Sequence, residues 1–255
     1  MSYKLINGDC IDEMEKIPDK SIDFCFLDLP YCGIDNKSSE VACKWNTPID
    51  LGILWKQLNR ITHLTTPIFF TCSTRFGVAL INSNPKNFRY DLVWEKSKAL
   101  NFLNAQRMVL KKHEMVYVFY RKLPLYDLTS HKCIITEKKN KNKVLPDEPV
   151  VYNGIYRSPK DPSAPTKKFD PPLPTSVLKF NNEGGHHNTQ KPLALIEWLL
   201  KYFSKEGDTI LDPTAGSFST ALACFNMNRS FIGFERDIEI YNKGVERFNK
   251  HTGSY

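Results

Sequence analysis

The chain has 255 residues, with 41% hydrophobic and 25% charged residues, which is ordinary globular usage and enough length to bury a full core. Disorder, collagen and coiled coil are excluded as the main state. The net charge of +7 favours an anionic partner such as nucleic acid without specifying one.

In chain order, the first apolar run bounded by turn residues is Ile22–Leu27 (IDFCFL). A helical pattern follows at Leu51–His63, then runs at Ile68–Cys72 (IFFTC), Asp91–Trp94 (DLVW) and Met115–Tyr120 (MVYVFY). These runs are continuously apolar, as expected of strands buried on both faces. From Leu123 to Gly185 the pattern breaks into prolines and a lysine run, TEKKNKNK, which reads as an insert or extended loop region. Regularity returns with a helix at Pro192–Phe203, a strand at Thr209–Leu211, a helix at Ser217–Asn226, a strand at Ser230–Phe234 and a helix at Ile238–Phe248. Strands alternating with helices predict an α/β fold with a doubly wound, mostly parallel sheet. No internal repeat is evident. The expected organisation is residues 1–122 as one half of a single domain, 123–185 as the insert and 186–255 as the other half.

The seven cysteines are scattered. No CxxC pair and no Cys/His zinc spacing is present, so reduced cysteines in a cytosol and no metal are expected. The start, MSYKLINGD, has no apolar signal core, and no run reaches the ~18 apolar residues of a membrane helix. The expectation is a soluble cytoplasmic protein, or one in a host cell's interior if viral, with no membrane partner.

Two strand ends carry polar residues suited to chemistry. At Thr209–Thr220, TILDPTAGSFST, a β run ends in Asp212 and a tight turn precedes a helix. Ser217, Ser219 and Thr220 are candidate caps for its first amides. Ligands in open parallel sheets bind beyond the carboxyl ends of strands, and helix N-termini attract carboxylates and phosphates. Glu235 closes the next run, SFIGFERD, at the distance where an acid commonly accepts hydrogen bonds from a ribose diol. At the other strand end, DFCFLDLPY, Asp28 is followed by Leu29, Pro30 and Tyr31. A carboxylate, backbone carbonyls and a phenol ring projecting from one strand end suit a planar amine. Acceptors on its N–H hydrogens favour a pyramidal nitrogen whose lone pair can attack a methyl group, and the ring can stack on the base.

DLPY at Asp28–Tyr31 resembles the D-P-P-Y motif of amino-directed DNA methyltransferases, and DPTAGSFST at Asp212–Thr220 resembles their S-adenosylmethionine loop, D-P-F-x-G-S-G-T-T. HNTQKP at His187–Pro192 resembles H-P-T-Q-K-P. GDCIDEM (Gly8–Met14), WEK (Trp94–Lys96), HEMVYVFYRK (His113–Lys122) and LPTSVLKF (Leu173–Phe180) are further matches. The catalytic motif precedes the cofactor motif, the order of the β class of DNA adenine-N6 methyltransferases. The matches span most of the chain outside Leu123–Pro172. The resemblance implies a Rossmann-like methyltransferase fold with S-adenosylmethionine as cofactor and base flipping. It places Asp9 and Cys10 at the cofactor's adenine and Glu235 at its ribose. Asp28, His187, Thr189, Lys191 and the turn Asp212, Thr214, Ala215, Gly216, Ser217, Phe218, Ser219 and Thr220 are placed at its methionine end, with Lys191 near the carboxylate. Leu29, Thr214, Phe218 and Asn188 depart from the family pattern. In particular, Phe218 stands where a glycine would admit close backbone approach.

The implied partner is double-stranded DNA, with a homodimer compatible with the family. Candidate phosphate contacts are Lys96, Lys98, Arg107, Lys111 and Lys112, with Lys138, Lys139, Lys141 and Lys143 of the lysine run. Base choice is expected from the insert. Cytosine-N4 methylation, or a non-catalytic DNA-binding module that keeps the fold, are the alternatives. A nicotinamide oxidoreductase lacks its GxGxxG signature.

Overall fold

The computed structural model describes residues 1–30, 48–100, 102–136, 150–152, 155–157, 166–182 and 190–253. These divide into two compact units, Met1–Asp127 with Ser176–Tyr255, and Leu128–Thr175.

The larger unit is built on an eight-stranded sheet in the order β1-β12-β11-β2-β3-β5-β4-β10. Its strands are β1 (Tyr3–Asn7), β2 (Phe24–Leu27), β3 (Ile68–Cys72), β4 (Phe88–Leu100), β5 (Lys111–Phe119), β10 (Val177–Phe180), β11 (Thr209–Asp212) and β12 (Ser230–Glu235). Neighbours are parallel except where β5 pairs antiparallel with β3 and β4. The expected mostly parallel α/β sheet is therefore present. Every residue of β2 and β3 is buried, which is why these strands read as unbroken apolar runs.

Helices α1 (Cys10–Glu15), α2 (Leu51–Ile61), α3 (Thr74–Ser83), α4 (Leu193–Phe203), α5 (Ser219–Asn226) and α6 (Ile238–Thr252) complete this unit. Asp9, Asp50, Ser73 and Asp237 cap four of them, each accepting a backbone amide of the first turn, which satisfies donors that the helix itself leaves unpaired. Cys25 and Leu27 of β2 pack in the cluster that holds Leu54, Leu58, Trp55 and Phe70. The alternate residue Phe24 stacks on Phe69 at 5.1 Å, and Phe69 meets Phe203 of α4. One strand thus feeds apolar layers on both faces of the sheet.

Connections leave β2 and β11 in opposite directions. The chain passes from β2 through α2 to β3 on one side, and from β11 through α5 to β12 on the other. The adjacent ends of β2 and β11 are the topological switch point, where open α/β sheets open a crevice for ligands.

The smaller unit contains two antiparallel pairs. Strand β6 (Lys132–Thr136) pairs with β9 (Thr166–Asp170), and β7 (Val150–Tyr152) with β8 (Ile155–Arg157). The insert expected at 123–185 is longer than this unit, because β10 leaves it to pair with β4 in the large sheet. The helix expected from Ser217 begins at Ser219, and its N-cap is Phe218 with no side-chain cap. Ser217, Ser219 and Thr220 do not cap it. Phe218 takes a left-handed conformation (φ 57°, ψ 33°), unfavourable for an L residue, and its side chain is fully buried against Phe231 and Tyr241. Gly244 of α6 makes room for that ring: a Cβ there would lie 2.5 Å from Phe218 Cδ2.

Gly244→Ala is expected to lower stability by about 1–3 kcal/mol through overpacking, measured as the urea-unfolding free energy. The second change Phe218→Leu in that background should restore part of the loss. Equal stability of wild type and Gly244→Ala would contradict this packing.

Candidate active site

Asp28 follows the last residue of β2, and the β2–β3 register sets it beside Thr71. Its Oδ1 accepts a hydrogen bond from Thr71 Oγ1 at 2.8 Å, and its Oδ2 accepts one from Lys191 Nζ at 2.6 Å. Lys191 stands just before α4 and is only 7% exposed. Its Nζ also lies 3.1 Å from Glu114 Oε1 on β5, and Glu114 Oε2 lies 2.7 Å from Lys96 Nζ on β4. Lys96 in turn lies 4.7 Å from the centre of the Trp94 ring on the same strand face, a cation–π contact. Four charges of alternating sign therefore run Asp28, Lys191, Glu114, Lys96. Each inner member is shared by two opposite charges, the arrangement that lets a buried ion pair offset its desolvation.

Burial raises the Asp28 carboxyl and Glu114 raises it further, while Lys191 and Thr71 pull it down. The net direction is upward, and the Asp28 side chain keeps a quarter of its surface open to solvent. Burial works against the Lys191 cation, but Asp28 and Glu114 outweigh it and raise its pKa. Burial opposes ionisation of Glu114 as well, yet Lys191 and Lys96 hold its carboxyl below the usual range.

Beside this row lies the second turn. Leu211 of β11 is in register with Cys25 of β2, which brings the two strand ends together. Thr214 ties them directly: its hydroxyl donates to the Asp28 carbonyl at 3.2 Å, and its amide donates to Asp212 Oδ1 at 3.2 Å. Its hydroxyl makes a link that the phenylalanine usual in the family could not. Asp212 is buried, and its Oδ2 accepts from Thr220 Oγ1 at 2.5 Å. Burial pushes the Asp212 carboxyl up to about 7; Thr220 and the Thr214 amide oppose this, and Asp28 and Glu235 add to it.

Glu235 closes the crevice on the β12 side. Its Oε2 accepts from the Gly216 amide at 3.0 Å and its Oε1 from the Asp237 amide at 2.8 Å. Gly216 has φ +54°, and a Cβ there would meet nothing within 4 Å. Its surroundings are open, but its backbone is one that only glycine adopts at no steric cost. Ala215 anchors the turn through its amide on the Phe234 carbonyl at 2.8 Å. The β1–β12 register sets Asn7 opposite Glu235, which brings Asp9 and Cys10 to the same end of the sheet. Asp9 accepts the Ile11 amide at 2.9 Å. Cys10 is buried, and burial pushes its thiol up to about 12. That makes it an unreactive core thiol whose backbone is the part available to a ligand.

The structure thus brings Asp28, Leu29, Pro30, Lys191 and the Asp212–Thr220 turn together, with Glu235, Asp9 and Cys10 along the same edge. Tyr31, His187 and Thr189 lie outside the described residues, as do Lys138, Lys139, Lys141 and Lys143. Several positions differ from expectation. Lys191 bonds Asp28 and Glu114, contacts additional to its expected place near the cofactor's carboxylate. Lys96, expected on phosphate, is bound to Glu114 and its side chain is only 11% exposed. Lys112 bonds Glu95 at 3.1 Å but stays exposed, as do Lys98 and Arg107, whereas Lys111 is half-buried. Phe218 points into the β12–α6 packing. Leu29 is buried in the core cluster, so the residue that replaces the motif's first proline works as an apolar anchor.

Sequence reading missed Glu114 and Arg247. The second donates from α6 to the Ser217 carbonyl at 3.0 Å and to Ser219 Oγ at 2.9 Å, bracing the turn from behind. The quoted segment HEMVYVFYRK contained Glu114, but nothing in it marked an ion-pair partner. Among the described residues no helix is long and apolar enough to cross a membrane. No group of three or more His, Cys, Asp and Glu among them could hold a metal ion.

If burial holds Asp212 near neutrality, native protein keeps a proton there between about pH 4 and 7 that the unfolded chain has lost. Stability should therefore fall as pH rises through this window. Relative to Asp212→Asn, wild type is expected to lose on the order of 3 kcal/mol between about pH 4 and 8, read from urea midpoints. Parallel pH profiles for the two proteins would contradict the assignment.

A family model described as DNA methylase, of the N6/N4 methyltransferase type, matches residues 22–246. The chain is 26% identical over 257 residues to the DNA adenine methyltransferase YhdJ of Escherichia coli (strain K12), covering 96% of this chain and 82% of that protein. Among solved structures, the complex of M1.HpyAVI with SAM superposes with a TM-score of 0.60 at 18% identity, over 97% of this chain and 99% of that one. The PvuII DNA methyltransferase, named as cytosine-N4-specific, superposes with a TM-score of 0.66 at 17% identity, over 99% and 93%. Both likenesses extend along nearly the whole fold. With its site at the switch point of a sheet of this kind and a family match over most of its length, the chain belongs to the N6/N4 DNA methylase family.

Proposed function

We propose that the chain transfers a methyl group from S-adenosylmethionine to the exocyclic N6 amino group of adenine in DNA. The observation that carries this reading is the Asp28–Lys191 pair at the switch point, tied through Thr214 to the Asp212 turn. YhdJ, similar along 96% of this chain, is named for adenine, and Asp rather than Ser opens the DLPY segment. The reaction belongs in the cytoplasm, where DNA and cofactor meet.

The residues present fit the cofactor. The Gly216 turn is open, Glu235 stands beside it, and the backbone at Asp9 and Cys10 lies on the same edge. When bound, the cofactor supplies a methyl group on a sulfonium, already activated for transfer. The protein's part is to bind and orient, which can lower the barrier by roughly 7–11 kcal/mol.

An exocyclic amine is a poor nucleophile because its lone pair is delocalised into the ring. Among the described residues each Asp28 oxygen accepts one bond, and a carboxylate oxygen has capacity for a second. Asp28 and the Leu29 carbonyl can therefore accept the two amine hydrogens and leave the lone pair directed at the methyl carbon. A nitrogen that had gained the methyl group would be acidic, and Asp28 is placed to take its surplus proton. Lys191 is a positioning residue here. It keeps Asp28 ionised, and a protonated Asp28 would lose acceptor capacity. Reaching the base requires flipping it from the duplex, at a cost of a few kcal/mol. Stacking on Tyr31 could return about 1–3 kcal/mol, and the hydrogen bond to Asp28 about 1.5–3 kcal/mol. The unit Leu128–Thr175 is the proposed target-recognition region, with Lys132, Lys167 and Lys168 exposed on its β6–β9 pair. Together with Lys98, Arg107 and Lys112 they would contact phosphates and make affinity fall with salt.

Sequencing DNA from cells that express the chain, with detection of modified bases, should give N6-methyladenine in a fixed sequence context. N4-methylcytosine in the nucleoside digest, or no modification, would contradict the reading. Asp28→Ala should lower methyl transfer by at least about 100-fold, with cofactor binding by calorimetry nearly unchanged. Equal transfer by wild type and variant would remove Asp28 from the mechanism. Lys191→Met should lose transfer as well and be destabilised by about 3–5 kcal/mol, because two buried carboxylates lose their shared cation.

A further inference from the structure

Strand β4 continues well beyond the level of the active site, pairing Trp94 with Glu114 and then Leu100 with Lys111. It runs parallel to β10 and antiparallel to β5, which is itself antiparallel to β3. The C-terminal end of β4 therefore points the same way as the ends of β2 and β11 that carry Asp28 and Asp212. At about 3.3 Å per residue, the three residues from Glu114 to Lys111 carry the β4–β5 connection roughly 10 Å past the charge row.

This connection holds a cluster of exposed apolar side chains. Phe102 is 69% exposed, Leu103 wholly so, Met108 56% and Val109 91%. No other stretch of similar length among the described residues exposes as many large apolar groups. The backbone is organised: Phe102–Asn104 is one turn of 3-10 helix, and the Arg107 and Met108 amides both bond the Asn104 carbonyl at 2.9 and 3.0 Å. Apolar groups held outward on ordered backbone mark an interaction surface. Cations flank them: Lys98 and Lys112 are exposed on the two strands and Arg107 within the turn. An apolar tip between cations matches stacked bases lying between two phosphate backbones.

We propose that Phe102, Leu103, Met108 and Val109 form a wedge that enters duplex DNA beside the target base and holds the gap open while that base occupies the Asp28 site. This rests on the DNA methylation reading above. The partner is the duplex itself. A second copy of this chain, docking through the same tip, is the alternative that the experiment separates.

The full chain and the double variant Leu103→Ser/Val109→Ser are compared. Both positions are exposed, so the variant should fold as wild type does, checked by circular dichroism. Two substrates are used with tritiated S-adenosylmethionine. One is a duplex carrying the sequence found methylated in cells. The other is the same duplex with an abasic residue opposite the target base, where flipping breaks no base pair. The variant is expected to lose at least tenfold in kcat/KM on the intact duplex and to stay within about threefold of wild type on the abasic one, because the wedge acts in opening the pair. Equal activity of variant and wild type on the intact duplex would overturn the wedge and leave methylation standing. Equal loss on both substrates would also overturn it and mark a general docking surface. A wild-type dimer that becomes monomeric in the variant, by sedimentation, would assign the tip to a second copy. No transfer by wild type to either substrate would sink the methylation reading itself, and the wedge with it.

Discussion

A single buried ammonium group organises the centre of this molecule. Lys191 sits between Asp28 and Glu114, and Glu114 is shared in turn with Lys96. These side chains come from the β2 end, the approach to α4, β5 and β4, so the row crosses four separate parts of the chain. Removing any charge leaves its neighbours buried with an unbalanced partner, which is far more costly than never having built the row. The same cation that ties these elements together also pulls the Asp28 carboxyl down against the upward push of its burial.

The sheet makes that constraint useful. At the switch point, β2 and β11 run parallel while the strands that follow them, β3 and β12, lie on opposite sides of the pair, which is where open α/β sheets form a crevice. Into that crevice the chain places two acids with different environments. Asp28 is paired with a cation and partly open to solvent, whereas Asp212 is buried among hydroxyl, amide and other carboxylates. Environments that separate two acids in this way allow one to accept hydrogen bonds from a substrate while the other secures the turn. Thr214 joins them, so a shift at one strand end is felt at the other.

Much of this was legible in the amino-acid sequence, for physical reasons. IFFTC at β3 announced itself because both faces of the strand are covered. DPTAGS announced itself because its glycine takes a positive φ at a strand end. Strand β10 was hidden, since it is an edge strand with a single buried residue, Leu178, in a proline-rich setting. Strand β1, another edge, has only five residues and none of them is fully buried. The long polar extension of β4 carries no apolar run to betray it. Phe218 read as an intrusion on the cofactor loop, yet its ring turns into a space that Gly244 leaves open, a pairing that spans the turn and α6. The Asp28–Lys191 bond joins residues 163 apart. Both residues were named as site candidates, but local spacing contains nothing about which charge meets which. Glu114 gave no signal at all, because a lone acid at the start of a strand usually faces water.

The most direct test of the central claim is the ionisation of Asp28 itself, followed by the 13C chemical shift of its carboxyl carbon across a pH titration in wild type and Lys191→Met. The shift in wild type should be that of a carboxylate at neutral pH, and in the variant that of a protonated acid, titrating only at higher pH. A carboxylate signal at neutral pH in both proteins would show that Lys191 does not govern Asp28, and the account built on their pairing would fail.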